Sequence, residues 1–452
     1  MSDISSLTLV QTLEALKNKK FSEEELNRVY QERIKQLNPK LNAFLQTQEN
    51  SSGIPAGIKD IICTQNIKTT AGSKILSTFI PPYSATVVNK LLENNVSIAG
   101  KTNMDEFAMG SSGENSAFGP TKNPWDLTKI TGGTSAGSAA AVAADMCVFA
   151  IGTDTGGSIR QPASLCGVVG LKTSYGRVSR YGLISAASSL DTIGPITKSV
   201  GDARKVLGWI SGSDGHDANC INEKFTMQPE RLQAKIKGIK IGVPKEHFGE
   251  GLDKSVEKVV RDAIAKMEEL GAEIVEISLP HSKYALPAFY IINPSEVSSN
   301  MGRFTGIRFG SKREDFGEEV KRRIMLGTFA LSSGYYDDYY AKAAKVRTLV
   351  KQDFDNAFTK CDCIVGPVSP TTAWNLGEKV DDPLKMYLAD IYTISANLAG
   401  IPGLSIPCGF SSGLPVGLQI LGKYMDEATI LDVGEAYEQA TDWHLKKPDL
   451  SF

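Results

Sequence analysis

Histidine is scarce in this 452-residue chain, with four at positions 216, 247, 281 and 444. His216 sits in the polar stretch SGSDGHDANC, His247 and His281 follow strand-like segments, and His444 lies near the carboxyl end, so none is embedded in a glycine-rich turn. A hydrolase built on this chain would take its base from another residue type. Cysteine is thin as well: seven, at 63, 147, 166, 220, 361, 363 and 408, an odd number without C-x-x-C spacing. With so few histidines beside them, that pattern argues against a zinc site. Long apolar runs are missing, since even the stretch 139–151 is broken by Asp145 and a bilayer span needs about 18 residues. The amino terminus, MSDISSLTLVQTLEALKNKK, carries Asp3 and amphipathic spacing at Leu9, Leu13 and Leu16, unlike the charged-then-apolar order of a signal peptide. A cytoplasmic protein is expected. An excess of one charge is absent too: 49 Lys+Arg against 51 Asp+Glu does not announce nucleic acid or an anionic membrane.

What is present is a globular composition, 41% hydrophobic and 22% charged, long enough for a large core. Residues 5–50 read as two helices, with Ser22 ahead of Glu24 and Glu25 as an amino-terminal cap. From Ile54 the texture changes to short apolar strands alternating with helices: IPAGIKDII, SATVVNKLLENN, VSIAGKTNMDEF, SAGSAAAVAADM and CVFAIGTDTGG. IKIGVPKE, a helix from about Lys254 to Leu270 and AEIVEISLP add a strand, helix, strand unit, and residues 310–360 are helical and charged. DCIVGPV, a helix over MYLADIYTISANLAG, GLSIPCGF, GLPVGLQILG and a terminal helix complete the chain. Cys361 and Cys363 fall in or beside a strand, and Cys166 reads as core. There is no internal repeat and no low-complexity linker, so the expectation is an α/β fold around one large sheet: an N-terminal helical segment over 1–50 and one domain over 51–452.

Two glycine-rich turns, GGTSAGS and TDTGGS, flank a short apolar run. Neither carries the lysine of a phosphate loop, and neither contains G-x-G-x-x-G. GTSAG matches the nucleophile elbow G-x-S-x-G at Ser135, but an elbow follows a buried strand and relies on a histidine, and here the polar NPWDLTKITG precedes it. The second turn fits chemistry better. The strand CVFAIG ends in TDTGGS and delivers Ser158 beside backbone N–H groups that glycine makes approachable, the layout of a nucleophile with an oxyanion hole. Tight turning alone is the structural alternative. Lys59 stands in the apolar run GIPAGIKDIIC, where desolvation would lower its pKa and leave an amine able to accept a proton. A strand-end lysine that reaches water is the alternative.

Lys59, GGTS and TDTGGS together resemble the amidase signature family, whose lysine, bridging serine held by a cis peptide, and nucleophilic serine form a histidine-free triad. The separations of 75 and 24 positions between Lys59, Thr134 and Ser158 are similar to the family's pattern. The resemblance implies Ser158 as nucleophile, Thr134 as bridging hydroxyl and Lys59 as base. It implies the N–H groups of Thr155, Gly156, Gly157 and Ser158 as oxyanion hole, and a single large mixed β-sheet surrounded by helices. At the bridging position the family usually has serine, its turn reads PGGSSGGS where this chain has TGGTSAGS, and LKTSYG lacks the usual proline after lysine.

Longer stretches narrow the likeness. The segments 101–126, 152–183, 319–340 and 397–410 resemble the glutaminase subunits of the tRNA-dependent amidotransferases, and the likeness runs from about residue 5 to 445. That implies hydrolysis of glutamine and delivery of ammonia to a B subunit, which uses ATP and Mg to convert Glu-tRNA(Gln) to Gln-tRNA(Gln); in many bacteria the family also converts Asp-tRNA(Asn) to Asn-tRNA(Asn) by the same route, a choice this sequence leaves open. A small C subunit makes up the heterotrimer, tRNA is contacted mainly through the B subunit, and this chain carries no cofactor, no metal and no membrane contact. The implied substrate contacts are Arg323 for the glutamine α-carboxylate, Asp390 for its α-ammonium and Tyr290 lining the pocket. A guanidinium binds a carboxylate bidentately, and a carboxylate takes an ammonium. From the residues alone, Lys321, Arg322 and Arg323 also read as a solvated helix face, Asp390 as a helix-surface acid, and the register of Tyr290 against Phe289 stays open. Two other functions stand beside this one: a stand-alone hydrolase of another amide, opposed by Arg323 and Asp390, and an inactive scaffold protein of the same complex, opposed by the intact Lys59, Thr134 and Ser158.

Overall fold

The computed structural model describes residues 4–226, 236–304 and 310–451. Among them the strands are β1 (Phe44–Thr47), β2 (Ile54–Lys59), β3 (Val96–Thr102), β4 (Lys122–Asn123), β5 (Asp126–Ile130), β6 (Phe149–Asp154), β7 (Val169–Lys172), β8 (Thr192–Thr197), β9 (Lys240–Pro244), β10 (Glu273–Ile277), β11 (Cys363–Pro367), β12 (Gly403–Ser411) and β13 (Leu414–Gly422). β4 and β5 pair separately, and the other eleven form one sheet in the order β1-β3-β2-β6-β8-β7-β12-β13-β11-β9-β10. β3, β2 and β6 run parallel to one another, as do β11, β9 and β10, while antiparallel pairs join the two groups. The sheet is thus single, large and mixed, with helices such as Ala136–Ala143, Val200–Ile210, Lys254–Glu269 and Glu427–Gln439 packed on its strands. β2 and β6, IPAGIK and FAIGTD, are buried along their whole length. A parallel strand covered on both faces needs such a continuous run of apolar and small residues rather than alternation.

The amino-terminal segment departs from the helical expectation. Its second helix, Glu23–Leu41, opens at Ser22 with a capping box, Ser22 Oγ accepting from the Glu25 N–H at 3.1 Å and Glu25 Oε2 accepting from the Ser22 N–H at 2.8 Å. The buried stripe Leu26, Tyr30, Ile34, Leu37 and Leu41 then faces the body. After it, β1 pairs antiparallel with β3 through Phe44 and Thr102, so residues 4–50 supply the sheet's edge strand as well as two helices. Four residues, FLQT, are too short to show a two-residue period.

A second difference lies at the carboxyl end. The stretch expected as one helix over MYLADIYTISANLAG is two short helices, Pro383–Leu388 and Ile394–Ala399. Between them tight turns take over, with the Asp390 N–H donating to Tyr387 O at 3.1 Å and the Thr393 N–H to Asp390 O at 3.0 Å. Asp390 sits in this break. No helix of the described residues is long and apolar enough to cross a membrane.

Candidate active site

Because β2 and β6 are parallel neighbours, their carboxyl ends, Lys59 and Asp154, emerge on the same edge of the sheet. Ligands of α/β sheets characteristically bind at such edges. Lys59 is fully buried, so the strand-end alternative of reaching water does not hold. Its Nζ donates to Thr134 Oγ1 at 2.6 Å and to Thr153 Oγ1 at 2.8 Å. Burial lowers the Lys59 pKa to about 7, against the opposing pull of Asp105, Asp154 and Asp191.

The two glycine-rich turns meet directly. Thr134 follows a cis Gly133–Thr134 peptide, the Gly133 N–H donates to Gln161 Oε1 at 2.9 Å, and the Ser135 N–H donates to Ser158 O at 3.1 Å. Ser135 donates its own hydroxyl to Thr153 O at 3.2 Å at the start of the helix Ala136–Ala143. The apolar run between the turns is that helix followed by β6, and it brings the turns back against each other. Ser158 is 8% exposed, whereas Lys59 and Thr134 are at 0%; of the three, Ser158 alone is reachable from solvent.

Asp154 shapes the second turn. Its carboxylate accepts from the Gly157 N–H at 2.8 Å and the Ile159 N–H at 3.2 Å, and Arg160 donates to both of its oxygens at 3.0 Å. The Arg160 guanidinium, itself held by Gln419 and Asn397 at 2.6 Å each, keeps the Asp154 carboxyl far below the usual carboxylate range despite its burial. The Gly157 N–H, expected among the oxyanion donors, is bonded to the Asp154 carboxylate inside the turn, as a buried carboxylate draws on the N–H groups around it. Glycine is required here, since the residue has φ +135° and a Cβ would lie 2.4 Å from Thr393 Oγ1. The Thr155 hydroxyl donates to Asp191 at 2.7 Å, and Gly156 lies against the Phe289 ring.

A second cluster gathers residues from distant helices. Arg323, on the helix Glu318–Ala330, is buried rather than on a solvated face. It donates through Nε to Glu319 at 2.8 Å and through Nη1 to Asn293 at 3.0 Å. Its guanidinium carbon lies 5.4 Å from the Tyr290 ring and 5.7 Å from the Tyr387 ring, which stack with centroids 3.9 Å apart. Arg322 and Lys321 stay on the outer side. Asp390, also buried, accepts from Ser111 Oγ at 2.5 Å, Tyr290 OH at 3.2 Å and Gln161 Nε2 at 3.5 Å. Burial pushes its carboxyl up to about 7. The register question resolves in favour of Tyr290: its hydroxyl meets Asp390, while Phe289 packs on the serine turn. Gln161 joins both clusters, touching Gly133 and Asp390.

Sequence reasoning did not single out Ser111, Thr153, Gln161, Asn293, Glu319 or Tyr387. Thr153 opens TDTGGS and Gln161 follows it by three positions, so proximity to that turn is an available signal; Asn293, Glu319 and Tyr387 become visible only once the helices are packed. The histidines make their contacts elsewhere: His216 stacks on Tyr181, His247 packs against Tyr392 and His281 pairs with Asp353 at 2.8 Å. Cys166 and Cys363 are buried thiols pushed well above the usual range by desolvation.

A strand-end lysine bonded to a threonine hydroxyl, with a serine on the adjoining glycine turn, is an arrangement that can be compared with known proteins. The amidase family model matches residues 25–431. The glutamyl-tRNA(Gln) amidotransferase A subunit of Thermoanaerobacter pseudethanolicus is 54% identical, over 98% of each chain, and that of Thermodesulfovibrio yellowstonii is 58% identical over 88% of this chain and 85% of its own. Among solved structures, the corresponding A subunit of Thermotoga maritima superposes with a TM-score of 0.88 at 45% identity, covering 98% of this chain and 96% of that one. A peptide amidase solved with the competitive inhibitor chymostatin gives 0.82 at 28% identity, covering 97% of each. The chain belongs to the amidase family, in the branch of the glutamyl-tRNA(Gln) amidotransferase A subunits.

Proposed function

We propose that this chain is the glutaminase subunit of a tRNA-dependent amidotransferase, hydrolysing glutamine and supplying ammonia for the conversion of Glu-tRNA(Gln) to Gln-tRNA(Gln). The observation that carries the reading is the pairing of two clusters through Gln161: a buried amine bonded to a hydroxyl beside Ser158, and a buried guanidinium and carboxylate suited to a free amino acid. A stand-alone hydrolase of another amide would have no use for the second cluster.

Arg323 takes the glutamine α-carboxylate and Asp390 its α-ammonium, with Tyr290 closing the space between them. Ser158 Oγ attacks the side-chain carbonyl carbon. Its proton passes to Thr134 Oγ1, whose own proton passes to the neutral Lys59 amine, reversing the hydrogen bond seen between them. The N–H groups of Thr155, Gly156 and Ser158 receive the developing oxyanion. Collapse breaks the C–N bond, ammonia leaves with the proton returned along the relay, and water then releases glutamate by the same path in reverse. Ammonia passes to the B subunit, which holds ATP and Mg and most of the tRNA contacts; the C subunit makes up the heterotrimer, and the complex works in the cytoplasm.

Ser158→Ala is the direct test. In the assembled complex it abolishes glutamine-dependent transamidation and leaves ammonia-dependent transamidation running, because Ser158 does chemistry on glutamine only. Loss of both activities would assign Ser158 a structural role.

A further inference from the structure

Thr393 is fully buried in the break that carries Asp390, and it touches both clusters. Its hydroxyl donates to Gly156 O at 2.6 Å and lies 3.0 Å from Asp390 O. A hydroxyl has one hydrogen to give, and Asp390 O already accepts the N–H groups of Thr393 and Ile394, so the shorter contact to Gly156 takes it. The Gly156 carbonyl and the Gly157 N–H belong to one peptide plane. Thr393 holds the first and Asp154 the second, the latter at 2.8 Å. That plane lies between the N–H groups of Gly156 and Ser158, and fixing it leaves each of them to turn only through the φ and ψ angles at Gly156 and Gly157. The main chain of Thr393 is anchored in turn, its carbonyl accepting from Arg160 Nη1 at 3.0 Å, and Arg160 also holds Asp154.

We infer that Thr393 is a positioning residue: its hydroxyl clamps the Gly156–Gly157 peptide and so ties the turn that bears Asp390 to the loop that presents Ser158. The inference rests on the glutaminase reading and adds to it a route by which an ammonium seated on Asp390 aligns the anion-stabilising donors. Glutamine carries that ammonium. Glutaramate, the same ω-amide without it, leaves Asp390 unpaired and gains nothing from the alignment.

The test compares Thr393→Ser with Thr393→Ala in the assembled complex. Both lose the methyl group, so packing loss is common to them and only the oxygen differs. With glutamine, Thr393→Ala is expected to have a kcat at least about tenfold below Thr393→Ser, with KM within about threefold, as a loop misplaced by a fraction of an ångström would give. The kcat advantage of glutamine over glutaramate is expected to shrink in Thr393→Ala and persist in Thr393→Ser. Equal kcat in the two variants, or a rise in KM alone, overturns the inference. If Thr393→Ala fails to assemble, Thr393→Val refills the space without the donor and the same comparison applies. Ser158→Ala measured alongside separates the two readings: retained glutaminase there overturns the catalytic role of Ser158, whereas an inactive Ser158→Ala with indistinguishable Thr393 variants overturns the role of Thr393 alone.

Discussion

The ends of β2 and β7 each bury a lysine, and the two surroundings teach what makes one of them a candidate base. Lys59 and Lys172 are both fully buried, and desolvation lowers both pKa values to about 7. Burial alone therefore does not separate them. Their partners do. Lys59 donates to two hydroxyls, those of Thr134 and Thr153, while Lys172 donates to two carbonyls, Ile401 O at 2.7 Å and Thr173 O at 3.1 Å. A carbonyl only accepts, so a proton on Lys172 has nowhere to come from; a hydroxyl accepts and donates, so Lys59 sits at the end of a chain that can carry one. A perturbed pKa alone does not mark a functional site, and what separates these two lysines is whether the neighbour can exchange a proton.

The largest effect expected from this comparison is at Lys59. Lys59→Arg should be nearly as damaging as Lys59→Ala, each lowering glutamine-dependent kcat on the order of a thousandfold, because arginine keeps the charge but does not give up its proton near neutral pH. Substantial activity in Lys59→Arg, measured by ammonia release, would reduce the residue to a fixed positive charge. Next comes the hydroxyl. Thr134→Val, similar in shape but without the oxygen, should lose on the order of a hundredfold in kcat, and Thr134→Ser should stay within about tenfold, about 1.4 kcal/mol of barrier. The threonine that stands where the family usually has serine is then a working relay, its branched Cβ restricting χ1. Near wild-type turnover in Thr134→Val would move the relay to Ser135 or to water.

The smallest effect on chemistry is expected at Lys172. Lys172→Met should leave kcat within about threefold while lowering the free energy of unfolding by about 1–3 kcal/mol, since two buried carbonyls lose their donor. Denaturant melts and steady-state kinetics on the same preparation separate the two. A loss of kcat comparable to that of Lys59→Ala would erase the distinction between hydroxyl and carbonyl partners.

The same contrast governs how much was legible in the sequence. Lys59, Thr134 and Ser158 were readable because each sits in a short local motif at a strand end or glycine turn, and a central, fully buried strand leaves its terminal residue little freedom of direction. Arg323 and Asp390 were ambiguous without the likeness to other sequences, for a helix shows its face only once its neighbour is known. Here the helix Glu318–Ala330 meets Ala285–Asn300 so closely that a Cβ on Gly327 would lie 1.9 Å from Pro294 O, and that contact turns Arg323 inward. Asp390 is inward because the helix breaks on either side of it, through i to i+3 turns that periodicity does not announce. The Gly157 N–H is hard to read for a related reason: a run of glycine and threonine shows that N–H groups are approachable, and only the placement of Asp154 and Arg160 shows which one bonds inside the turn.

The central claim is that Lys59 acts as a neutral amine, and the pH dependence of glutamine hydrolysis by the wild-type complex tests it most directly. Protonation of Lys59 removes the proton acceptor, so kcat should be level above neutrality and fall about tenfold per pH unit below about 7. The carboxyl of Asp390, also pushed up to about 7, must be ionised to take the ammonium of free glutamine, so kcat/KM should fall more steeply than kcat over the same range. A kcat that stays level down to about pH 5.5 would contradict the account, leaving Lys59 a permanent cation and Ser158 without its base.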